Sequence, residues 1–116
     1  MACGGIREAV RRAREHLPHL LRVEVEATSI AEVDEARAAG ADLVLLDNMT
    51  EETIREVVTR VGGALPLEVS GGVSLEDVAR LARTGVDYIS VGRITHSAPG
   101  ADLSMLVRDV WSQTTE

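Results

Sequence analysis

The sequence contains no lysine. All twelve basic residues are arginine, nineteen acidic residues outnumber them, and the formal net charge is −7. A chain with this excess of negative charge repels nucleic acid and anionic membrane surfaces. We therefore expect neither nucleic acid nor a membrane as a partner.

Aromatic residues, cysteine and long apolar runs are also scarce. Tyr88 and Trp111 are the only aromatic side chains, so Val, Leu, Ile and Ala must fill the core. The single cysteine, Cys3, excludes an internal disulfide and is typical of a reducing cytosol. No apolar run approaches the ~20 residues of a membrane span, and the first residues lack a signal-peptide pattern. These absences predict a cytoplasmic protein in which Cys3 is inert.

What the sequence does contain is an alternation of helical and strand periodicity. Apolar residues at helical spacing predict a helix within residues 4–17, and further helices separate four strands. Capping-box spacing marks helix starts at Ser29 and Ser74, and the tail predicts one short helix at most, 103–111. The predicted strands are residues 23–27, 42–47, 67–70 and 87–92.

This strict alternation of strands and helices calls for a parallel sheet. A repeat supports it: residues 38–46 (AAGADLVLL) and 83–91 (RTGVDYISV) share a Gly-x-Asp step, 45 positions apart. The predicted strand ends are spaced by 21, 23 and 22 residues, at Glu26, Asp47, Ser70 and Gly92. Such regular spacing is typical of (β/α) barrels.

A doubly wound sheet would have the same order of elements, so the two faces of the strands must decide. Central strands of a doubly wound sheet are apolar on both faces. Here one face is apolar (Val23, Val25, Val44, Leu46, Leu67, Val69, Ile89, Val91) and the other is largely polar (Glu24, Glu26, Leu43, Leu45, Asp47, Glu68, Ser70, Tyr88, Ser90, Gly92). A largely polar face fits a barrel lumen. We therefore predict an α/β fold, a parallel (β/α) barrel portion with four βα units, about half of a TIM-like barrel.

Half of a barrel has two open sheet edges, which favour association. We expect residues 1–116 to be the C-terminal half of an α/β-barrel domain whose first half is absent. A homo-oligomer is expected for the same reason.

Glycine turns follow the last two predicted strands, at Ser70-Gly71-Gly72 and at Gly92. In barrels, phosphate often binds to the loops after the last two strands. Bare N–H groups admit a phosphate closely, and the helix that opens near Ser74 favours an anion at its N-terminus. The alternative is that Ser70-Gly71-Gly72 is only a short turn. The presence of a second glycine turn one unit later favours phosphate binding.

Carboxylates end the first two strands. Glu26 and Asp47 can accept hydrogen bonds from sugar hydroxyls or hold Mg²⁺, which takes oxygen ligands. Alternatively, Glu26 is the polar half of an alternating strand, and Asp47 caps the next turn with Asn48. Deeper in the lumen, we expect Glu24 and Glu68 to form structural hydrogen bonds. Because four carboxylates oppose each other's ionisation, we expect the missing half to supply basic groups.

Two further polar residues follow the last strand. His96 either donates a hydrogen bond to a phosphate or satisfies the loop backbone. Arg93 is expected to be an exposed guanidinium rather than an anion contact.

Four motifs together resemble a known family: VEVEA (23–27), LVLLDNM (43–49), EVSGGV (68–73) and GVDYISVGRITHSA (85–98). Each motif is weak alone. Their order and spacing resemble the C-terminal part of nicotinate-nucleotide pyrophosphorylase (carboxylating), also called quinolinate phosphoribosyltransferase. The resemblance covers residues 4–102.

The resemblance implies transfer of phosphoribose from phosphoribosyl pyrophosphate to quinolinate, with release of pyrophosphate and CO₂. The product would be nicotinate mononucleotide for NAD biosynthesis, and Mg²⁺ would be the cofactor. The resemblance also implies an N-terminal sandwich domain, absent here, and a homodimer whose sites take residues from both subunits. Glu26 and Asp47 would act in catalysis by contacting ribose hydroxyls or the metal shell. The implied phosphate-binding residues are Ser70, Gly71, Gly72 and Gly92, with His96 close by.

The chain also departs from the family pattern. The arginines, lysines and histidine that bind the pyridine dicarboxylate and pyrophosphate are missing, including a KDNH-like stretch expected just before Met1. Ala27 and Arg93 replace a β-branched and a small residue. We therefore expect an enzyme fragment with little or no turnover alone. The alternatives are a self-associating half-barrel with a structural or phosphate-binding role, and a related phosphoribosyltransferase-like protein of metal uptake.

Overall fold

The structure is a computed structural model that describes residues 4–92. The helices and strands, in chain order, are α1 Ile6–His16, β1 Glu24–Ala27, α2 Ile30–Ala39, β2 Leu43–Asp47, α3 Glu51–Val61, β3 Leu67–Ser70, α4 Leu75–Ala82 and β4 Tyr88–Ile89. The predicted order of elements is confirmed. Cys3, Arg93, His96 and the tail helix predicted at 103–111 lie outside the described residues. No helix in the range 4–92 is both long and apolar enough to cross a membrane.

The four strands form one parallel sheet in the order β1-β2-β3-β4, as the alternation of elements predicts. In the register of this sheet, Glu26 lies opposite Leu45, and Asp47 lies opposite Ser70. The carboxyl ends of β2 and β3 therefore meet side by side. This edge of the sheet is where the sequence predicts the functional residues.

Helices cover one face of the sheet. Val44 and Leu46 of β2 are fully buried, in the same core cluster as Ile54 and Val57 of α3. On the opposite face, Glu24, Glu26, Tyr88 and Ser90 are exposed, and Leu43, Leu45, Asp47, Glu68 and Ser70 are half-buried. We call these nine residues the open face. The predicted split into an apolar and a polar face is confirmed, and residues 4–92 do not form a doubly wound sheet with both faces covered.

The Gly-x-Asp repeat has a structural cause at the amino ends of the strands. The Asp42 carboxylate accepts a hydrogen bond from the main-chain N–H of Val23 at 2.7 Å, just before β1 begins. One repeat later, the Asp87 carboxylate accepts the N–H of Leu67 at 2.8 Å, at the start of β3. Each repeated aspartate therefore satisfies a main-chain N–H at the amino end of the neighbouring strand.

Substitution Asp42→Ala is expected to destabilise the fold by about 1 kcal/mol, because it leaves the Val23 N–H without its acceptor. The ion pair with Arg14, at 2.6 Å, adds little because the Arg14 side chain is 42% exposed. Arg14 and, after it, the Val23 N–H lower the pKa of Asp42 below its ordinary value of 3.8. The stability that Asp42 contributes is therefore present above about pH 4 and is lost as the pH falls through its folded pKa.

Thermal melting across this pH range checks the expectation. The melting temperature of the variant should fall below that of the unaltered chain at about pH 7, and the difference should shrink towards about pH 2. A difference that stays constant with pH would contradict this role for Asp42. Glu15→Ala, on the exposed surface of α1, is the control.

Candidate functional site

The candidate site lies at the carboxyl ends of β3 and β4. Four of the five predicted phosphate-binding residues, namely Ser70, Gly71, Gly72 and Gly92, line one cleft of about 270 Å³ together with Val73 and Ser90. The fifth, His96, lies outside the described residues. Topology therefore brings the two glycine turns together at one place.

Residues 70–73, which we call the glycine loop, present bare main-chain groups to this cleft. Within the described range, the N–H groups of Gly71, Gly72 and Val73 donate to no acceptor. A Cβ added at Gly72 would meet nothing within 4 Å. An anion can therefore approach these N–H groups closely, which is the requirement for binding phosphate through the main chain.

The N-terminus of α4 contributes less to anion binding than the sequence predicts. Ser74 caps this helix, as predicted, and the Asp77 carboxylate accepts hydrogen bonds from the Ser74 N–H at 3.0 Å and from its hydroxyl at 2.6 Å. These bonds, together with the nearby Arg80, lower the pKa of Asp77 well below its ordinary value, so it is ionised. Its charge, with that of Glu76, already compensates the positive end of the helix. Within the described residues, the N–H groups of the glycine loop remain the donors without an acceptor.

Sequence reasoning missed Arg80, which joins α3 to α4. Its guanidinium donates to Glu51 at 2.6 Å and to Asp77 at 2.8 Å. All three residues line a second cleft, of about 220 Å³, that shares Gly71 and Gly72 with the first. The Asp77 contact has helical spacing and was readable from the sequence, whereas the contact with Glu51 required the fold. Because two carboxylates balance Arg80, it does not supply a free positive charge to the cleft.

Asp47 stands directly beside the glycine loop. Its Oδ2 accepts a hydrogen bond from Nδ2 of Asn48 at 3.0 Å. Its Oδ1 would lie 2.8 Å from a Cβ placed on Gly71. The bond from Asn48 is the local contact that the alternative interpretation of Asp47 expects. The N-cap of α3 is Thr50, whose side chain accepts the N–H of Thr53 at 3.3 Å. Asp47 itself is not among the described residues that line either cleft, but it lies beside Gly71, which lines both.

Glu26 lies on the same face as Asp47 but on the neighbouring strand, exposed and opposite Leu45. Among residues 4–92, no group of three or more His, Cys, Asp or Glu side chains could hold a metal ion. Mg²⁺ sites in phosphate-handling proteins use one or two carboxylates together with substrate oxygens. Glu26 and Asp47 therefore do not belong to a metal site built from protein side chains alone within this range.

Two further carboxylates lie on the open face. Glu68 accepts a hydrogen bond from the Ser90 hydroxyl, in line with its expected structural role. Partial desolvation and, after it, the Glu68 charge raise the pKa of Glu24. The nine residues of the open face include four carboxylates and no basic residue. A ligand with several negative charges therefore needs positive charge from outside this face.

Comparison with known proteins identifies the family to which this chain belongs. Residues 1–106 match the family model described as "Quinolinate phosphoribosyl transferase, C-terminal domain". A probable nicotinate-nucleotide pyrophosphorylase [carboxylating] of Bacillus subtilis is 40% identical over 104 residues, which are 90% of this chain and 36% of the relative. The human nicotinate-nucleotide pyrophosphorylase [carboxylating] is 40% identical over 108 residues, again covering 90% and 36%.

Solved structures agree with the sequence relatives. The nicotinate-nucleotide pyrophosphorylase of Ehrlichia chaffeensis superposes with a TM-score of 0.77 at 42% identity, over 83% of this chain and 35% of the other. The enzyme of Francisella tularensis gives 0.73 at 44% identity, over 78% and 32%. The chain thus spans about a third of the length of the relatives it matches. Its alternating β/α units correspond to part of their barrel, and it belongs to the quinolinate phosphoribosyl transferase family through that family's C-terminal domain.

Proposed function

We propose that this chain carries the ribose-phosphate side of a quinolinate phosphoribosyltransferase site. The observation that carries the proposal is the glycine loop, whose N–H groups have no acceptor within residues 4–92 and whose Gly71 lies beside the Asp47 carboxylate. The reaction would move phosphoribose from phosphoribosyl pyrophosphate to quinolinate, releasing pyrophosphate and CO₂ to give nicotinate mononucleotide. The relatives are named nicotinate-nucleotide pyrophosphorylase [carboxylating], and that name supports this proposal.

In this proposal the 5-phosphate is bound by Ser70, Gly71, Gly72 and Gly92. Asp47, and Glu26 on the next strand, accept hydrogen bonds from the ribose hydroxyls. As the bond at the anomeric carbon breaks, positive charge develops on the sugar, and fixed carboxylates nearby stabilise it. Mg²⁺, when bound with the pyrophosphate, would neutralise the charge on the leaving group.

The quinolinate side of the site must come from outside these residues. Quinolinate and phosphoribosyl pyrophosphate are anions, whereas the open face carries only carboxylates as charged groups. We propose that residues 1–116 are the C-terminal half of the barrel domain and need the remainder of the enzyme, in a cytoplasmic homodimer, for turnover. The coverage of only about a third of each relative supports this division of the site.

Ligand titration of the chain followed by amide NMR tests the proposal. Ribose 5-phosphate should shift the amide signals of Gly71, Gly72 and Val73, because these N–H groups receive a new acceptor. Gly72→Ala should weaken binding about tenfold, since the added methyl group enters the space that the phosphate occupies. Gly63→Ala is the matched control, because Gly63 also has a positive φ (77°, against 62° at Gly72) and open space around it. Signals that do not move with ribose 5-phosphate would contradict the proposed function.

A second candidate is a half-barrel that pairs with itself. The free edge of β1 and the uncovered open face favour it, because both lack a partner within the described residues. Four carboxylates on each open face oppose it, because two copies face to face would bring like charges together. Light scattering decides: a well-folded monomer at low and high salt excludes this candidate.

A further inference from the structure

The two adjacent glycines of the glycine loop have different surroundings. A Cβ at Gly71 would lie 2.5 Å from Oδ1 and 2.7 Å from Cγ of Asn48. Contacts this short do not occur between real atoms, so the Asn48 amide would have to move to admit a side chain at position 71. At Gly72, by contrast, nothing lies within 4 Å. A side chain at Gly71 is therefore excluded by a contact within the protein, whereas at Gly72 only the backbone conformation, with a φ of 62°, favours glycine.

Asn48 follows the end of β2 and has both an unusual backbone conformation and two hydrogen bonds near the glycine loop. Its φ of 52° is in the left-handed region, and it is the one non-glycine residue in the described range with a positive φ. Its N–H donates to the Ser70 carbonyl at 3.3 Å, and its side-chain amide donates to Asp47 at 3.0 Å. Asparagine tolerates this backbone conformation better than most residues, and its short amide reaches its own neighbours. One residue thus contacts both the Asp47 carboxylate and the glycine loop.

We propose that Asn48 is a positioning residue that sets the distance between the Asp47 carboxylate and the glycine loop, and that Gly71 lacks a side chain to accommodate it. Gly72 lacks one to admit the ligand. The part of this proposal that concerns a ligand rests on the proposed function. A ribose phosphate can place its hydroxyls and its phosphate only over a limited range of separations, so affinity depends on how firmly the two protein groups keep a matching distance.

A thermal-melting cycle tests the contact without any ligand. Gly71→Ala should lower the melting temperature more than Gly63→Ala, by an excess of about 5 °C. Gly63 shares the positive φ (77°, against 89° at Gly71) but has nothing near it, so the excess isolates the contact. In the Asn48→Gly background, which keeps the left-handed backbone without the side chain, the excess should fall by half or more. The remainder reflects Asp47. If the excess loss of melting temperature is the same in the Asn48→Gly background, Asn48 is not what excludes a side chain at position 71.

An affinity comparison tests positioning and does not require Gly71 variants to fold. Asn48→Gly should weaken ribose 5-phosphate binding about tenfold. Inorganic phosphate, which needs only the glycine loop, should keep its affinity within about twofold. A merely structural role would weaken both ligands equally, and that result, or no effect on either, would overturn the proposal.

The two tests separate this inference from the proposed function. If the unaltered chain binds neither ribose 5-phosphate nor inorganic phosphate, the proposed function fails, and the positioning role fails with it. The melting cycle still decides whether Asn48 explains the bare Gly71. If the unaltered chain binds both ligands and Asn48→Gly changes the two affinities by the same factor, only the inference about Asn48 fails.

Discussion

Leu46→Ala is expected to lower the free energy of unfolding by about 2–5 kcal/mol, a large part of the stability of a domain this small. Leu46 is fully buried in the second of the four strands, under the helices. Strands on both sides hold the sheet in place, so the surrounding residues cannot collapse into the cavity that the substitution leaves. Urea unfolding at 25 °C, followed by circular dichroism, measures the loss.

Leu45→Ala is the matched control for this prediction. It is the preceding residue of the same strand and the same residue type, but it lies half-buried on the open face. Its truncation should cost about 1 kcal/mol or less, because part of its surface already meets water. Equal losses at both positions would contradict a sheet with one uncovered face, and would show that something covers the open face in solution.

The sequence was enough to predict which strand residues face the helices and which lie on the open face. Strand side chains alternate with a period of two wherever one face is buried. The ends of the strands were predicted less well. Residue 23 falls outside β1, and its N–H donates to the Asp42 carboxylate. The ladder of β4 ends at Ile89 instead of residue 92. Strand ends depend on such neighbours, which the local pattern does not contain.

The location of the candidate site was also predictable, because parallel strands bring their carboxyl ends to one edge. Its internal contacts were not. Asn48 and Gly71 are 23 positions apart, and the left-handed conformation of Asn48 has no sequence signal of its own. From the sequence we therefore explained both glycines by a bound ligand. In the structure, the Asn48 side chain accounts for the glycine at position 71. In the same way, the cap by Asp77 offsets a helix dipole that was expected to serve the anion.

The chain alone is expected to form no measurable nicotinate mononucleotide from quinolinate and phosphoribosyl pyrophosphate. Its open face presents only carboxylates as charged groups to two anionic substrates, and like charges repel them. Co-expression with the part of the Bacillus subtilis relative that this chain does not cover should supply the missing positive charge. Turnover should then rise from background to a rate readily measured by product formation. Robust turnover by the chain alone would contradict the division of the site.

In the complemented enzyme, Asp47→Asn and Glu26→Gln should each lower kcat by about 10²–10³. Each change keeps the shape of the side chain but removes the negative charge that stabilises the developing positive charge on the sugar. Glu56→Gln, an exposed carboxylate on α3, is the charge-matched control and should leave kcat unchanged. If Asp47→Asn retained full turnover while Gly72→Ala still weakened substrate binding, the glycine loop would remain a phosphate site. The electrostatic role of Asp47 would then be wrong.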